Sequence, residues 1–497
     1  MPDVLRTPYS RVFTIEDRAG PANAPEYQGQ GRAMSPSWGF GDLTAIRVPD
    51  PDRYGAFKVV DSIRGEKDLP TLPLEVRYTF SLSEMLRLAR KGCPLDAQVH
   101  FGKCQDPRDF DAGWDKVLVI EGAAITNYGT GDLGALEQGE DAVVNESIDL
   151  TGLDMYEIKQ VTLQELASAT ITREVIDLAI CDTVQCGVCG IPSDGCQTFF
   201  ALTLQSVASP GLPAELYYSS DGGATIGVTN VTSLDAGQAP SALACVGTRL
   251  AVISNASDSL HYALLADIIN GVEVWVEVGT GIVAAGSPND IFSLGSVFVW
   301  IVGDGGYVYF SSDITAGVSV QDAGGATAED LLAIHGYDEL NLVALGENNA
   351  VIVTRNGGAS WAAVTGPAVG IQLNTVVMRG KDEWFIGANN GRLWYTRDGG
   401  VTWTEKAFPG SGAGVVRHVT FPTPTVGYLC HDTAAVAGRV LRSINGGFSW
   451  YVLPESTGTI PANDRINEVA ACAENPNIFY GGGLADDGAD GILIKGA

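Results

Sequence analysis

Four sulfurs crowd into one short stretch: Cys181, Cys186, Cys189 and Cys196. Thiolates this close can hold a structural zinc ion, and Cys186-x2-Cys189 has the spacing of a metal knuckle. Zinc sites more often pair two such knuckles across a longer loop, so local disulfides or buried thiols are the competing reading. Cys93 and Cys104 form a further candidate pair. Nine cysteines is an odd number for a secreted disulfide framework, and the thiols leave the compartment open. His100, His261, His335, His418 and His431 show no metal-ligand spacing and read as surface or hydrogen-bonded side chains. Asp486 and Asp487 lie in a Gly-rich loop and read as solvated turn residues rather than a general acid/base pair. No catalytic residue is assigned, no turnover is expected, and no cofactor is implied.

The elements around these residues are set by a repeat, the strongest pattern in the chain. Tyr395 to Trp403 (YTRDGGVTW) recurs as Val353 to Trp361 (VTRNGGASW), Arg442 to Trp450 (RSINGGFSW) and Tyr218 to Ile226 (YSSDGGATI). Asp398 and its equivalents Asp221, Asn356 and Asn445 can accept backbone N–H bonds, and Gly399 and Gly400 supply positive φ. Trp403, like Trp361 and Trp450, is placed to plug the space between neighbouring sheets. Degenerate copies are read at Asn270-Gly271 with Trp275, and at Ser311-Ser312-Asp313. The turns then recur roughly every 45 residues, each preceded by two further strands such as Leu373 to Arg379 and Glu383 to Tyr395.

One such period is a four-stranded blade. An unboxed unit from Ile466 to Lys495 brings the count to seven, with six and eight as the other options. A ring of blades must close, and Glu174 to Ile180 is read as the outer strand beside the last blade.

These turns are Asp boxes. The region from about Cys196 to Ala497 resembles bacterial neuraminidase-repeat propellers and is most similar to photosystem II assembly factor-like propellers. That resemblance implies a β-propeller fold and little about function, because the box also sits in sialidases and sortilin-like receptors. A sialidase on this fold would need three arginines clamping the substrate carboxylate and a Tyr activated by a carboxylate. Arg355, Arg397 and Arg442 lie in or beside boxes, on outer turns away from the axis. Arg249, Arg379, Arg392, Arg417, Arg439 and Arg465 sit at dissimilar places in their blades, so no such triad is found.

Residues 1–170 carry no repeat. Leu74 to Phe80 alternates apolar and polar side chains as a half-buried strand does. A short helix is expected from an N-cap at Ser83 to a stop at Gly92, with Met85, Leu88 and Ala89 on its apolar face. Strands follow at Ala97 to Phe101, Lys116 to Glu121, Ala142 to Leu150 and Glu157 to Leu163. Arg11 to Ser37 reads as a long extended segment, and the Pro-containing stretch Ala33 to Gly41 as an arm awaiting a partner. This layout of strands, one helix and strands resembles the tail tube proteins of long-tailed phages. The resemblance implies a β-sandwich that joins its neighbours in six-membered rings, stacked by long loops.

With 59 Asp+Glu against 30 Lys+Arg, the chain has a formal charge of −29, which argues against gripping nucleic acid through its phosphates. An acidic wall suits a conduit through which DNA slides without sticking. Gly at 61 and Pro at 23 fit many short strands and tight turns. No leader-like segment or apolar run of about 18 residues is read, so no membrane insertion is expected.

The sequence reading is therefore a mainly β chain: a tail-tube-like sandwich with one helix at 1–170, a Cys-rich linker at 171–196 and a seven-bladed propeller at 197–497. Its expected role is a phage tail tube protein made in the host cytoplasm and built into the virion tail as stacked hexameric rings. Its partners would be other tail proteins, genomic DNA passing unbound through the lumen, and cell-surface glycans met by the outward propeller. The alternative is a soluble host-attachment or assembly factor whose propeller binds a protein or glycan partner.

Overall fold

The computed structural model describes the backbone of the strands between Arg11 and Lys159, and most of the chain from 160 to 496. Outside the described residues in that second part are 167–170, 172, 182–195, 205–213, 235–237, 279–280, 296, 434–437, 455–463 and 486–489. The chain divides into two compact units, Met1–Gln160 and Val161–Ala497.

The second unit is a seven-bladed β-propeller of four-stranded antiparallel sheets. Blade 1 is built from Val175–Ile180, Phe199–Thr203, Glu215–Ser219 and Gly227–Asn230. The innermost strands of blades 2 to 7 are Pro240–Val246, Pro288–Leu294, Leu331–Gly336, Leu373–Gly380, Val415–Thr420 and Arg465–Ala471. The second strand of each blade is apolar on both faces because blades pack against it from either side, as in Leu342–Gly346, where every residue is buried. The core is accordingly a set of interblade clusters. Phe200, Leu202, Leu243 and Val252 join blades 1 and 2; Trp300, Val302, Leu342 and Ala344 join blades 3 and 4. Aromatic rings meet on either side of blade 7, Tyr428 tilted against Phe479 at 4.4 Å and Phe199 stacked with Tyr480 at 4.3 Å.

Ring closure differs from the sequence reading. The outer strand of blade 7 is Leu163–Glu165, which pairs with Gly491–Gly496. The segment read as that strand instead forms the innermost strand of blade 1, Val175 pairing with Thr203 and Ile180 with Phe199. No residue of Val175–Ile180 is exposed, whereas Leu163–Glu165 exposes two of its three, as an outer edge does.

In the first unit a seven-stranded antiparallel sheet runs in the order Leu95–Gly102, Arg11–Asp17, Tyr27–Ala33, Thr71–Arg77, Asn145–Thr151, Trp114–Thr130, Asp154–Lys159. Leu95–Gly102 also pairs with Trp114–Thr130, which closes the circuit. Two strands of the sheet thus come from the segment read as extended, Arg11 to Ser37, while 34–41 of the stretch read as an arm lie outside the described residues. Leu43–Pro49 and Phe57–Arg64 pair with each other as a separate two-stranded ribbon. The helix expected at 83–92 lies outside the described residues. Among the described residues, no helix is long and apolar enough to cross a membrane.

Candidate functional site on the propeller axis

Each innermost strand carries a β-bulge at the same place. The register shifts fall at Val175/Asp177, Pro240/Ala242, Pro288/Asp290, Leu331/Ala333, Leu373/Thr375, Val416/His418 and Ile466/Glu468. A bulge leaves one residue unpaired and re-aims its side chain. The seven extra residues are Ile176, Ser241, Asn289, Leu332, Asn374, Arg417 and Asn467, and where that side chain is a hydroxyl or amide it reaches the next blade. Ser241 Oγ donates to Pro288 O at 2.8 Å, Asn289 Nδ2 to Leu331 O at 3.0 Å, Asn374 Nδ2 to Val416 O at 3.0 Å and Asn467 Nδ2 to Val175 O at 2.8 Å.

Where the residue after the bulge is polar, it makes a second link. Asp177 accepts the Leu243 N–H at 2.6 Å, Asp290 the Ile334 N–H at 2.8 Å and Thr375 the Val419 N–H at 3.3 Å. Between blades 6 and 7 the link is ionic, His418 Nε2 standing 3.0 Å from Glu468 Oε1.

These residues line an axial cavity in two parts. The mouth, of about 520 Å³, is bounded by Glu174, Gln372, Asn374, Asn389, Arg417 and Asn467; the inner chamber, of about 270 Å³, by Asp177, Asp290, His335, His418 and Glu468 among others. Burial raises the Asp177 carboxyl well above its ordinary value, helped by the charge of Glu468, and lifts Asp290 to about 6. Burial lowers His335 to about 4, with the charge of His418 adding to it. Burial also opposes charge on His418, but Glu468 and Asp290 outweigh it and its pKa is raised.

At the mouth the charges are closed in pairs. Arg465 and Asn467 both reach Glu174 Oε1, the Asn at 2.8 Å, and Arg417 Nε donates to Asp432 at 2.6 Å. Among the described residues no aromatic ring lines the mouth.

The boxed residues lie away from this site. Asp398 Oδ1 accepts the Thr402 N–H at 2.8 Å, and the Gly400 N–H donates to Thr396 Oγ1 at 2.9 Å. Asp221, Asn356 and Asn445 repeat the arrangement with Thr225, Ser360 and Ser449. Asp313 keeps a shortened form, accepting from Thr315 two residues on. Gly399 and Gly400 have φ of 69° and 86°. Trp450 is buried, while Trp361 and Trp403 are half-buried against the preceding blade. The degenerate box read at Asn270 is absent: Leu265–Asn270 is a short α-helix ended by Gly271 in the left-handed conformation, and Trp275 alone keeps its interblade place.

The arginines serve the scaffold. Arg442, expected on an outer turn, is wholly buried, lying over the Tyr428 ring and donating to Asn477 at 3.0 Å. Arg355 and Arg379 tie neighbouring blades, at Asp382 and at the carbonyl of Gly446.

The cysteines also part from the sequence reading. Cys181 bonds Cys245 and Cys196 bonds Cys472, so two of the four candidate zinc ligands are taken by distant partners. Their pairing is long-range rather than local because ring closure, not sequence spacing, brings them together. Cys186, Cys189, Cys93 and Cys104 lie outside the described residues, as do Asp486 and Asp487. Among the described residues no group of three or more His, Cys, Asp or Glu could hold a metal ion.

No protein family matches the chain, and no curated protein sequence matches it significantly. Solved structures do. YCF48 from Cyanidioschyzon merolae is 12% identical, with 67% of this chain and 98% of that one covered at a TM-score of 0.50. A streptogramin B lyase is 11% identical, covering 68% and 97%, also at 0.50. A structure of YCF48 bound to D1 peptide is 13% identical, covering 68% and 95% at 0.49. The two likenesses at 0.50 agree in fold with the seven four-stranded sheets of a β-propeller, the fold that the repeats implied. Function has to be argued from the site.

Proposed function

We propose that this chain is a non-catalytic recognition protein whose propeller takes an extended segment of a protein partner at the axial mouth. The observation that carries this is the character of the mouth: amide side chains at Gln372, Asn374, Asn389 and Asn467, ionic groups already paired, and no ring among the described residues. Amides match the donors and acceptors of a peptide backbone, and a charge-compensated rim does not select strongly for a charged ligand. A sugar site would be expected to offer an aromatic face to the C–H side of the pyranose ring. The chamber's carboxylates and histidines hold blades together by bonds to neighbouring strands, which argues for scaffold and against turnover. Selection of a displayed peptide library against the full chain, beside a glycan array, tests this reading. Peptide enrichment supports it, and glycan binding without peptide enrichment overturns it.

A second reading, the phage tail tube subunit, rests on one observation in the first unit. The ribbon Leu43–Pro49/Phe57–Arg64 pairs with no other described strand, and a lone two-stranded ribbon is marginal in water. On that reading the ribbon docks on another copy, the first unit builds stacked hexameric rings around DNA in a virion tail, and the propeller decorates the outside. Negative-stain microscopy separates the two: stacked hollow rings favour the tube, discrete particles the soluble recognition factor.

A further inference from the structure

Blade 1 differs from the others in how its first two strands are joined. In blades 2 and 5 the same connection is a tight turn, between Val246 and Arg249 and between Gly380 and Glu383. In blade 1 it runs from Cys181 to Thr198, and a disulfide stands near each end of it. Cys181, directly after the innermost strand, bonds Cys245 in the innermost strand of blade 2, with 5.7 Å between Cα atoms. Cys196, just before the second strand, bonds Cys472 at the end of the innermost strand of blade 7, at 5.9 Å. Blade 1 is therefore stapled to both neighbours.

Toward blade 2 its other attachments are a shared apolar cluster and the Leu243 N–H bond to Asp177. The bulge residue facing blade 2 is Ile176, which cannot donate to the next strand as Asn289, Asn374 and Asn467 do. Each disulfide also has one approachable end: Cys181 and Cys472 are buried, but Cys245 and Cys196 are half-buried. A dithiol has a route to both.

We propose that Cys181–Cys245 and Cys196–Cys472 form a redox latch on blade 1, holding the innermost strand Val175–Ile180 at the axis when oxidised and releasing it when reduced. A dithiol thiolate attacks the half-buried sulfur, the bond to the buried sulfur breaks, and the departing thiolate takes a proton. The dithiol's second thiol then displaces the first cysteine, closing its own disulfide. Each latch bond consumes two electrons from one dithiol and leaves two protein thiols. The strand so released carries Ile176 and Asp177 into the cavity, and Glu174 directly precedes it at the mouth. Only this last consequence for partner capture rests on the recognition reading.

The test is hydrogen–deuterium exchange of the full chain, oxidised and after dithiothreitol, with thiol labelling to confirm that all four cysteines are free. The latch predicts exchange at least about 10-fold faster in Val175–Ile180 and Phe199–Thr203, with Leu342–Gly346 across the ring unchanged. The paired variants Cys181→Ser/Cys245→Ser and Cys196→Ser/Cys472→Ser should show the same local change without reductant. If a variant fails to fold, reductant titration of the wild type still decides. Unchanged exchange in blade 1 with all four thiols labelled, or an equal rise in every blade, would overturn the proposal. Neither readout uses a ligand, so failure of the peptide reading leaves the latch standing, and the reverse.

Discussion

The carboxylate of Asp290 on blade 3 accepts the backbone N–H of Ile334 on blade 4, 2.8 Å away at the wall of the axial chamber. One side chain therefore both closes a seam between blades and places an ionisable group in the cavity.

Asp290 is held at a pKa of about 6 by burial, against 3.8 for a free aspartate. A carboxyl whose folded pKa is raised binds its proton in the fold before it does in the unfolded chain. Its contribution to stability therefore grows as pH falls from above 6 toward 4, and is flat below that. Asp290→Asn removes this titration. The stability difference between wild type and variant, from urea unfolding, should shift in favour of wild type by on the order of 2–3 kcal/mol between about pH 7 and pH 4. A difference independent of pH would contradict it. His335 works in the opposite sense, since its folded pKa is lowered from 6.5 to about 4 and its stabilisation is lost as pH falls through that window.

The box turns should fail in a graded way. Asp398→Ala removes the acceptor for the Thr402 N–H and hydroxyl and should cost about 1–2 kcal/mol. Gly400→Ala should cost more, about 2–4 kcal/mol, because φ is 86° and a Cβ would stand 2.5 Å from Val364 Cγ1 and 3.2 Å from Trp384. Thermal unfolding of the two variants gives the order directly, and the reverse order would show that the turn's side-chain bonds matter more than its backbone.

Arg442 and Arg417 should both be costly to remove. Arg442→Ala empties a wholly buried site between Tyr428 and Asn477 and should destabilise by about 3 kcal/mol or more. Arg417→Ala leaves the buried Asp432 carboxylate without its guanidinium and should cost about 2–3 kcal/mol as well. Denaturant midpoints check both.

The closing strand makes a prediction about boundaries. A fragment beginning at Val161 keeps Leu163–Glu165 against Gly491–Gly496, and one beginning at 171 loses it. The shorter fragment should melt at least about 4 °C lower, by calorimetry, and equal melting would show that the strand contributes nothing to ring closure.

The propeller was legible because its signal is local. A box such as Tyr395 to Trp403 states its turn, its glycines and its plug within nine residues, and the period states the ring. Asn270 misled because Asn-Gly serves a helix end as well as a hairpin. The axial site was missed for a different reason. Its signal is two residues per blade, Asn289-Asp290, Asn374-Thr375 and Asn467-Glu468, each followed by a β-branched residue, and only an alignment of blade against blade brings it out. The disulfide partners were not legible at all, because Cys196 and Cys472 meet across a ring whose closure no local pattern encodes.

The central claim is that the axial mouth recognises a peptide, and its most direct measurement is calorimetric affinity of a library-selected peptide for three forms of the full chain. These are wild type, Gln372→Ala/Asn389→Ala at the mouth, and Val401→Asp at the exposed tip of a box turn far along the sequence from any mouth residue of its own inner strand. The account predicts at least about a 10-fold loss of affinity for the mouth variant, worth about 1.4 kcal/mol, and none for the tip variant. Wild-type affinity in the mouth variant would contradict it.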